Sequence, residues 1–347
     1  MRIALITDVW TPLINGVVTT LENTVRIARS HGHDVLVLSP EMFPSLPCPT
    51  YPEIRLVLFP WRKVSRILDE YRPDAVHIAN EGPMGWAGRF ACRRRGWGFT
   101  TAYHTRLPEY IRLRFPIPLR ASYAFFRWFH KPSKAVMTAS PELMAELRSQ
   151  GFTSLKLWSR GVDTGLFRPR DKGYLEAPRP ISMFVGRVAV EKNIEDYLRL
   201  EIPGTKYVVG DGPAFSRLKA AYPRVRFVGA KRGEELAAHM AAADVFVFPS
   251  STDTFGLVLL EAMACGVPVA AYPVTGPQSV VIHGKTGWLS WNLNEAVHQA
   301  LSLSPQACRS HAQTYSWERS TEQFLGNLHL LNRDRGEGSS CGGRRET

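Results

Sequence analysis

DVFVFPSSTDTFGLVLLEAMACGVPVAA, running from Asp244 to Ala271, is the stretch from which the fold can be read. Asp244 to Phe248 and Val267 to Ala271 are short runs of strand character, and Ser250 to Gly266 between them reads as a helix. Leu257, Val258, Leu259, Leu260, Ala262, Met263 and Ala264 leave that helix no polar face, the pattern of burial on every side. Glu261 is the charge inside this apolar body. An ion kept from water costs several kcal/mol even after relaxation, so Glu261 needs either a cation or hydrogen bonds from something that docks beside it.

Just ahead, Thr252, Asp253 and Thr254 offer capping side chains, and the amides of Phe255 and Gly256 stand at the positive end of the helix dipole. Such an end attracts anions. Glu261 follows Asp253 by about two turns. A phosphate on the amides, with a carboxylate on either side for hydroxyls, describes a sugar nucleotide. The plainer alternative makes Asp253 an ordinary N-cap and Glu261 half of an internal ion pair.

Outward from this unit the same rhythm repeats. Ile181 to Val185, Lys206 to Val209 and Val225 to Val228 precede it, and Ile3 to Thr7, Val35 to Leu38, Ile54 to Leu58, Ala75 to Ile78, Thr100 to His104 and Ala135 to Thr138 fill the first half. Alternating strands and helices imply α/β architecture with two doubly wound parallel sheets. Pro169, Gly173, Pro178 and Pro180 cluster among charges between the two series and read as a linker. The expected division is 1–170, 171–331 with a final helix, and a disordered Gly- and Ser-rich tail over 332–347.

Composition narrows the partners. At 347 residues and 44% hydrophobic content the chain suits two cores, and its net charge of +12 calls for an anionic partner. Nucleic acid, an anionic membrane face and phosphorylated small molecules all qualify. The five cysteines form no C-x-x-C pair, so neither a zinc site nor a disulfide framework is expected. No apolar run reaches membrane-spanning length, which leaves peripheral association.

In open α/β sheets ligands bind beyond the carboxyl ends of the strands, so the loops there matter most. The first carries Asn15, able to hydrogen-bond a ligand, and Gly16, which permits close backbone approach. It lacks both common nucleotide-loop glycine patterns, so neither NAD nor ATP is indicated. His104 follows an apolar strand and can serve as donor or base. Gly186, Arg187 and Lys192 place two cations beside a strand end, suited to phosphate. Gly210-Asp211-Gly212-Pro213 reads as local turn chemistry.

One segment concentrates the basic charge. Arg106, Arg112, Arg114, Arg120, Arg127, Lys131 and Lys134 face a single acid, Glu109, with aromatics interleaved. A helix over 119–131 would put Arg120, Arg127 and Lys131 on one stripe and Phe125, Phe126 and Phe129 on the other side. It is either a solvated surface helix or a docking face for anionic lipid.

Taken together, the Asn15-Gly16 loop, His104, Gly186-Arg187 with Glu191-Lys192, the Gly210 turn and Asp253-x7-Glu261 resemble family 4 of the retaining GT-B glycosyltransferases, over about Met1 to Leu331. The resemblance implies two facing Rossmann-like domains, acceptor in the first and nucleotide-sugar donor in the second. Arg187 and Lys192 would neutralise the diphosphate, Glu261 would bind ribose hydroxyls, and Asp253 would contact the transferred sugar. Gly16, Gly186 and the backbone of Phe255, Gly256 and Leu257 would complete the donor site. His104 would lie near the reacting carbon, and Asn15 would help close over the acceptor. Two departures stand out: Asp253 occupies a place where Glu is common in the family, and the 193–207 segment is short, which predicts a truncated helix. No D-x-D motif occurs, so no metal and no cofactor are expected.

The implied activity is retaining transfer of a hexosyl group from a UDP- or GDP-sugar to an acceptor hydroxyl, most readily that of a membrane glycolipid such as diacylglycerol. The implied setting is cytoplasmic, peripheral on the inner face of the membrane. A soluble mannosyl- or glucosyltransferase of polysaccharide synthesis is the rival within enzymes. A non-catalytic nucleotide-sugar or nucleic-acid binder is the rival outside them, although no nucleic-acid motif occurs.

Overall fold

The computed structural model describes residues 1–13, 15–48 and 51–331, so the expected tail at 332–347 lies outside the described residues. From the N-terminus come β1 (Arg2–Ile6), β2 (Asp34–Leu38), a hairpin of β3 (Ser45–Cys48) and β4 (Tyr51–Val57), then β5 (Ala75–Ile78), β6 (Thr100–Ala102), β7 (Ala135–Thr138) and β8 (Leu155–Leu157). Apart from the antiparallel hairpin these form one parallel sheet in the order β2-β1-β5-β6-β7-β8. A second parallel sheet holds β9 (Ile181–Val185), β10 (Thr205–Val209), β11 (Arg226–Gly229), β12 (Val245–Phe248), β13 (Val269–Ala271) and β14 (Gly287–Leu289), ordered β11-β10-β9-β12-β13-β14. Strands such as β5, β7, β9 and β12 are buried at every residue. Helices therefore cover both faces, as parallel sheets require.

Three sequence expectations need correction. The run Ile54 to Leu58 belongs mostly to the hairpin and not to the parallel sheet, because exposed Arg55 breaks its apolar character and binds back to the Ser45 carbonyl at 2.7 Å. Edge strands β8 and β14 were not anticipated; each has only three residues, and β8 carries exposed Lys156. The helix expected over Ser250 to Gly266 is confined to Leu257–Ala264, since Gly256 takes a left-handed conformation (φ 86°) that only glycine adopts freely. The short 193–207 segment yields a six-residue helix, Ile194–Arg199, as its length predicts.

The chain ends by crossing back. Its last helix, Trp317–Asn327, packs Phe324 into the core of the first sheet beside Leu5, Leu21 and Trp158. Gln323 accepts from the Ser159 amide at 2.8 Å, Ser320 donates to the Ser159 carbonyl at 2.6 Å, and Asn327 donates to the Leu157 carbonyl at 2.7 Å.

Candidate active site

In the second sheet the strand order reverses between β9 and β12, so the loops after these strands flank a crevice. The loop after β9 is held by close backbone contact. A Cβ at Gly210, past β10, would lie 1.9 Å from the Gly186 carbonyl oxygen, so only glycine fits there. Arg187 follows, partly exposed, with its Nε 3.8 Å from the buried Glu191 carboxylate. Lys192 reaches across the crevice to Asp253 in the loop after β12, with Nζ 2.6 Å from Oδ1. The other oxygen of Asp253, Oδ2, is buried and has no hydrogen bond among the described residues. Burial pulls the Lys192 ammonium down, but Asp253, the Tyr110 phenol and Glu191 outweigh it and hold the group above the usual lysine range.

Thr252 and Thr254 do not cap the helix as expected. Gly256 turns the chain between them and the first helical residue, and they bind elsewhere: Thr252 donates to the Glu191 carbonyl at 3.0 Å and Thr254 to the His104 carbonyl at 2.7 Å. No hydrogen bond engages the amides of Phe255, Gly256, Leu257 or Val258 among the described residues. Leu257, Val258 and Glu261 are the partly exposed positions of this helix, and their spacing puts them on one face. The Glu261 carboxylate makes no ion pair or hydrogen bond among the described residues. Burial alone pushes its carboxyl up to about 7.

The first sheet supplies the opposite wall. Asn15 caps the Gly16–Ser30 helix, its Oδ1 accepting from the amides of Val17 and Val18 at 3.0 and 2.9 Å. With Oδ1 engaged in the cap, the side-chain NH2 is the group of Asn15 left to hydrogen-bond a ligand. Gly16 lies against the second half of the molecule: a Cβ there would touch Leu257 Cδ1 at 3.4 Å. Asp8, after β1, accepts from the amides of Met84, Gly82 and Gly85 at 2.8, 3.0 and 3.2 Å, and burial raises its carboxyl to about 6. His104, after β6, is 8% exposed. Its Nδ1 lies 3.2 Å from the Arg160 guanidinium, and its Nε2 is buried without a hydrogen-bond partner among the described residues. Burial first, then the charges of Arg160 and His77, push this imidazole well below the usual histidine range.

Two contributors escaped the sequence reading. Tyr110, from the Leu107–Arg114 helix of the first half, enters the crevice and interacts with Thr252, Lys192 and Asp253; burial raises its phenol above the ordinary tyrosine range. Arg106 is largely buried and not part of a surface patch. It binds the Glu146 carboxylate and donates to Thr275 Oγ1 at 2.7 Å, joining the two halves. Helical periodicity reports only a residue's own face, so neither reach across the cleft left a signal.

The basic segment divides likewise. Arg112, Arg120, Lys131 and Lys134 are exposed, Arg114 closes the Leu107–Arg114 helix, and Arg127 is half-buried, donating to the Gln150 carbonyl at 2.8 Å. Phe126 and Phe129 of the Leu119–His130 helix are buried as expected, but Phe125 is 45% exposed, beside Trp128 at 48%. Leu113, Phe115 and Ile117 extend this apolar surface among the cations. Among the described residues, no helix is long and apolar enough to cross a membrane, and no group of three His, Cys, Asp or Glu could hold a metal.

Residues 14–166 match the family described as Glycosyltransferase Family 4, and residues 179–303 match Glycosyl transferases group 1. The chain is 31% identical over 315 residues to the GDP-mannose-dependent alpha-mannosyltransferase of Mycobacterium tuberculosis, covering 83% of each protein. It is 25% identical to the alpha-monoglucosyldiacylglycerol synthase of Streptococcus pneumoniae, covering 95% of this chain and 85% of that one. Among solved structures, sucrose-phosphate synthase of Thermosynechococcus elongatus superposes with a TM-score of 0.75 at 24% identity, over 94% of this chain and 97% of that one.

Proposed function

The chain belongs to glycosyltransferase family 4 and is a hexosyltransferase with the GT-B fold, and from that premise we propose that it moves a hexosyl group from a UDP- or GDP-sugar to the hydroxyl of a membrane glycolipid, with retention at the anomeric carbon. The observation that carries the donor assignment is Glu261: a desolvated carboxylate with no ion pair among the described residues, on the helix face beside amides that none of those residues engages. A sugar nucleotide meets both needs, its ribose hydroxyls donating to Glu261 and its phosphate accepting from the amides.

In this reading Arg187 and Lys192 stabilise charge on the departing diphosphate, and Asp253 uses its unengaged Oδ2 to orient the sugar. The bond between the anomeric carbon and the phosphate oxygen breaks, with its electron pair passing to phosphate. The acceptor oxygen then bonds to that carbon from the same face, and its proton passes to the departing phosphate. Cations placed in advance stabilise this charge more as it develops than before, which is what lowers the barrier. The acceptor half is proposed as 1–170 and the donor half as 171–331.

The exposed mixture of Phe125, Trp128, Leu113, Phe115, Arg112, Arg120 and Lys131 favours a lipid acceptor reached from an anionic membrane surface. Transfer to a soluble glycan is the second reading; the mannosyltransferase relative bears on the donor and leaves the acceptor open. The test is a panel of UDP- and GDP-sugars scored by thermal shift, then turnover with lipid extract. Labelled product partitioning into organic solvent is expected; product confined to water would overturn the lipid acceptor, and no stabilisation by any sugar nucleotide would overturn the donor site.

A further inference from the structure

His104 and Arg160 meet behind the cleft in a way that fixes where one proton sits. A guanidinium carries only donors, so the imidazole nitrogen it faces, Nδ1 at 3.2 Å, must present its lone pair. The proton of a neutral imidazole then resides on Nε2. That nitrogen is buried and has no partner among the described residues.

Arg160 has no freedom to act otherwise. It is 4% exposed, donates to the carbonyls of Trp158 and Ser159, and stacks its guanidinium 4.7 Å over the Trp158 ring. No carboxylate lies within 4.0 Å of it among the described residues, so it is not half of an ion pair. Ser159 is in turn gripped on both backbone groups by Gln323 and Ser320 of the last helix. His77, the other titratable group facing this cluster, spends its Nδ1 on Thr100 at 2.9 Å.

We propose that Arg160 is a positioning residue that locks His104 as the Nε2–H tautomer, so that His104 can serve as a hydrogen-bond donor and not as a base. The inference rests on the reading of His104 as a residue of the reacting site. Burial and the neighbouring Arg160 charge both oppose protonation of the ring, which agrees with a neutral donor.

The test is 15N-resolved NMR of the imidazole nitrogens, with His104 assigned by the signal lost in His104→Gln. In the unmodified enzyme Nε2 is expected to be protonated and Nδ1 bare. Arg160→Met is expected to bring in the Nδ1–H tautomer and to lower kcat on the order of tenfold, with donor KM changed by less than about twofold. Arg160→Lys, which keeps a donor, is expected to restore the tautomer and most of the rate. A protonated Nδ1 in the unmodified enzyme, or a rate loss in Arg160→Met with the tautomer unchanged, overturns the proposal. Should Arg160→Met fail to fold, the spectra of the unmodified enzyme and of Arg160→Lys decide alone. An enzyme with the lock intact that turns over no sugar nucleotide would instead sink the functional reading and leave the lock standing.

Discussion

Both halves of the molecule bring loops to a cleft at the carboxyl ends of parallel strands, yet they handle charge in opposite ways. Beyond β9 and β12, Arg187 faces Glu191 within one loop and Lys192 pairs with Asp253 across two. Beyond β1 and β6, Asp8 is absorbed by three backbone amides and His104 is kept neutral. In the first half the exposed cations Arg112, Arg120 and Lys131 lie on an outer flank instead, among exposed aromatic side chains. One architecture thus provides a wall of partly exposed ion pairs suited to diphosphate and a wall whose ionisable groups are buried, suited to hydroxyls.

The contrast breaks most readily at Lys192. Replacing it with Met is expected to lower kcat on the order of a hundredfold, measured as product formed at saturating sugar nucleotide; a loss under about threefold would mean that the charged wall does not stabilise the leaving group. Glu261→Gln is expected to raise donor KM about tenfold at pH 8 and also to change stability with a definite sign. Because the folded carboxyl sits at about 7 and its ordinary value is 4.5, the stability linked to it is complete below the ordinary value and lost as pH rises through 7. The glutamine variant should therefore melt higher than the parent at pH 8, by at most about 3 kcal/mol, and nearly level with it at pH 5. Equal melting at both would show that Glu261 has a partner in solution.

On the outer flank, Arg120→Glu with Lys131→Glu is expected to weaken association with anionic vesicles by about thirtyfold, at about 1 kcal/mol per cation, while turnover of a short soluble acceptor holds. Cosedimentation at low salt checks it, and equal recovery would remove the membrane from the comparison. The smallest effect is expected from Thr254→Val, which removes the hydrogen bond from the second half to the His104 carbonyl. A rate loss of about fivefold, worth about 1 kcal/mol, would show that the two walls are registered by this contact; an unchanged kcat would show that they are not.

Most of the architecture was legible because parallel strands are apolar runs at regular intervals, and Ala75 to Ile78 or Ile181 to Val185 admit no other reading. Edge strands β8 and β14 were lost because Leu155-Lys156-Leu157 and Gly287-Trp288-Leu289 make no apolar run. The second half of the cleft was also largely legible. Glu261 stands out in an apolar helix, and Lys192 and Asp253 each follow a strand, although sequence gave no sign that they pair with each other. The roles of Thr252 and Thr254 were misjudged, since capping propensity is local and a left-handed glycine overrides it. Arg160, Tyr110 and Arg106 were invisible for one reason: their partners lie on other elements, brought close only by the tertiary fold.

The returning Trp317–Asn327 helix has a consequence for how the protein comes into being. Trp158, Leu5 and Leu21 find their covering in Phe324, and Ser159 finds hydrogen bonds in Gln323 and Ser320. During synthesis the earlier half therefore cannot finish folding when its own last strand leaves the ribosome. It must wait, with an apolar face open, until the chain has emerged as far as Asn327. A ribosome stalled before that helix would display an unfinished half exposed to chaperones, however complete its strands.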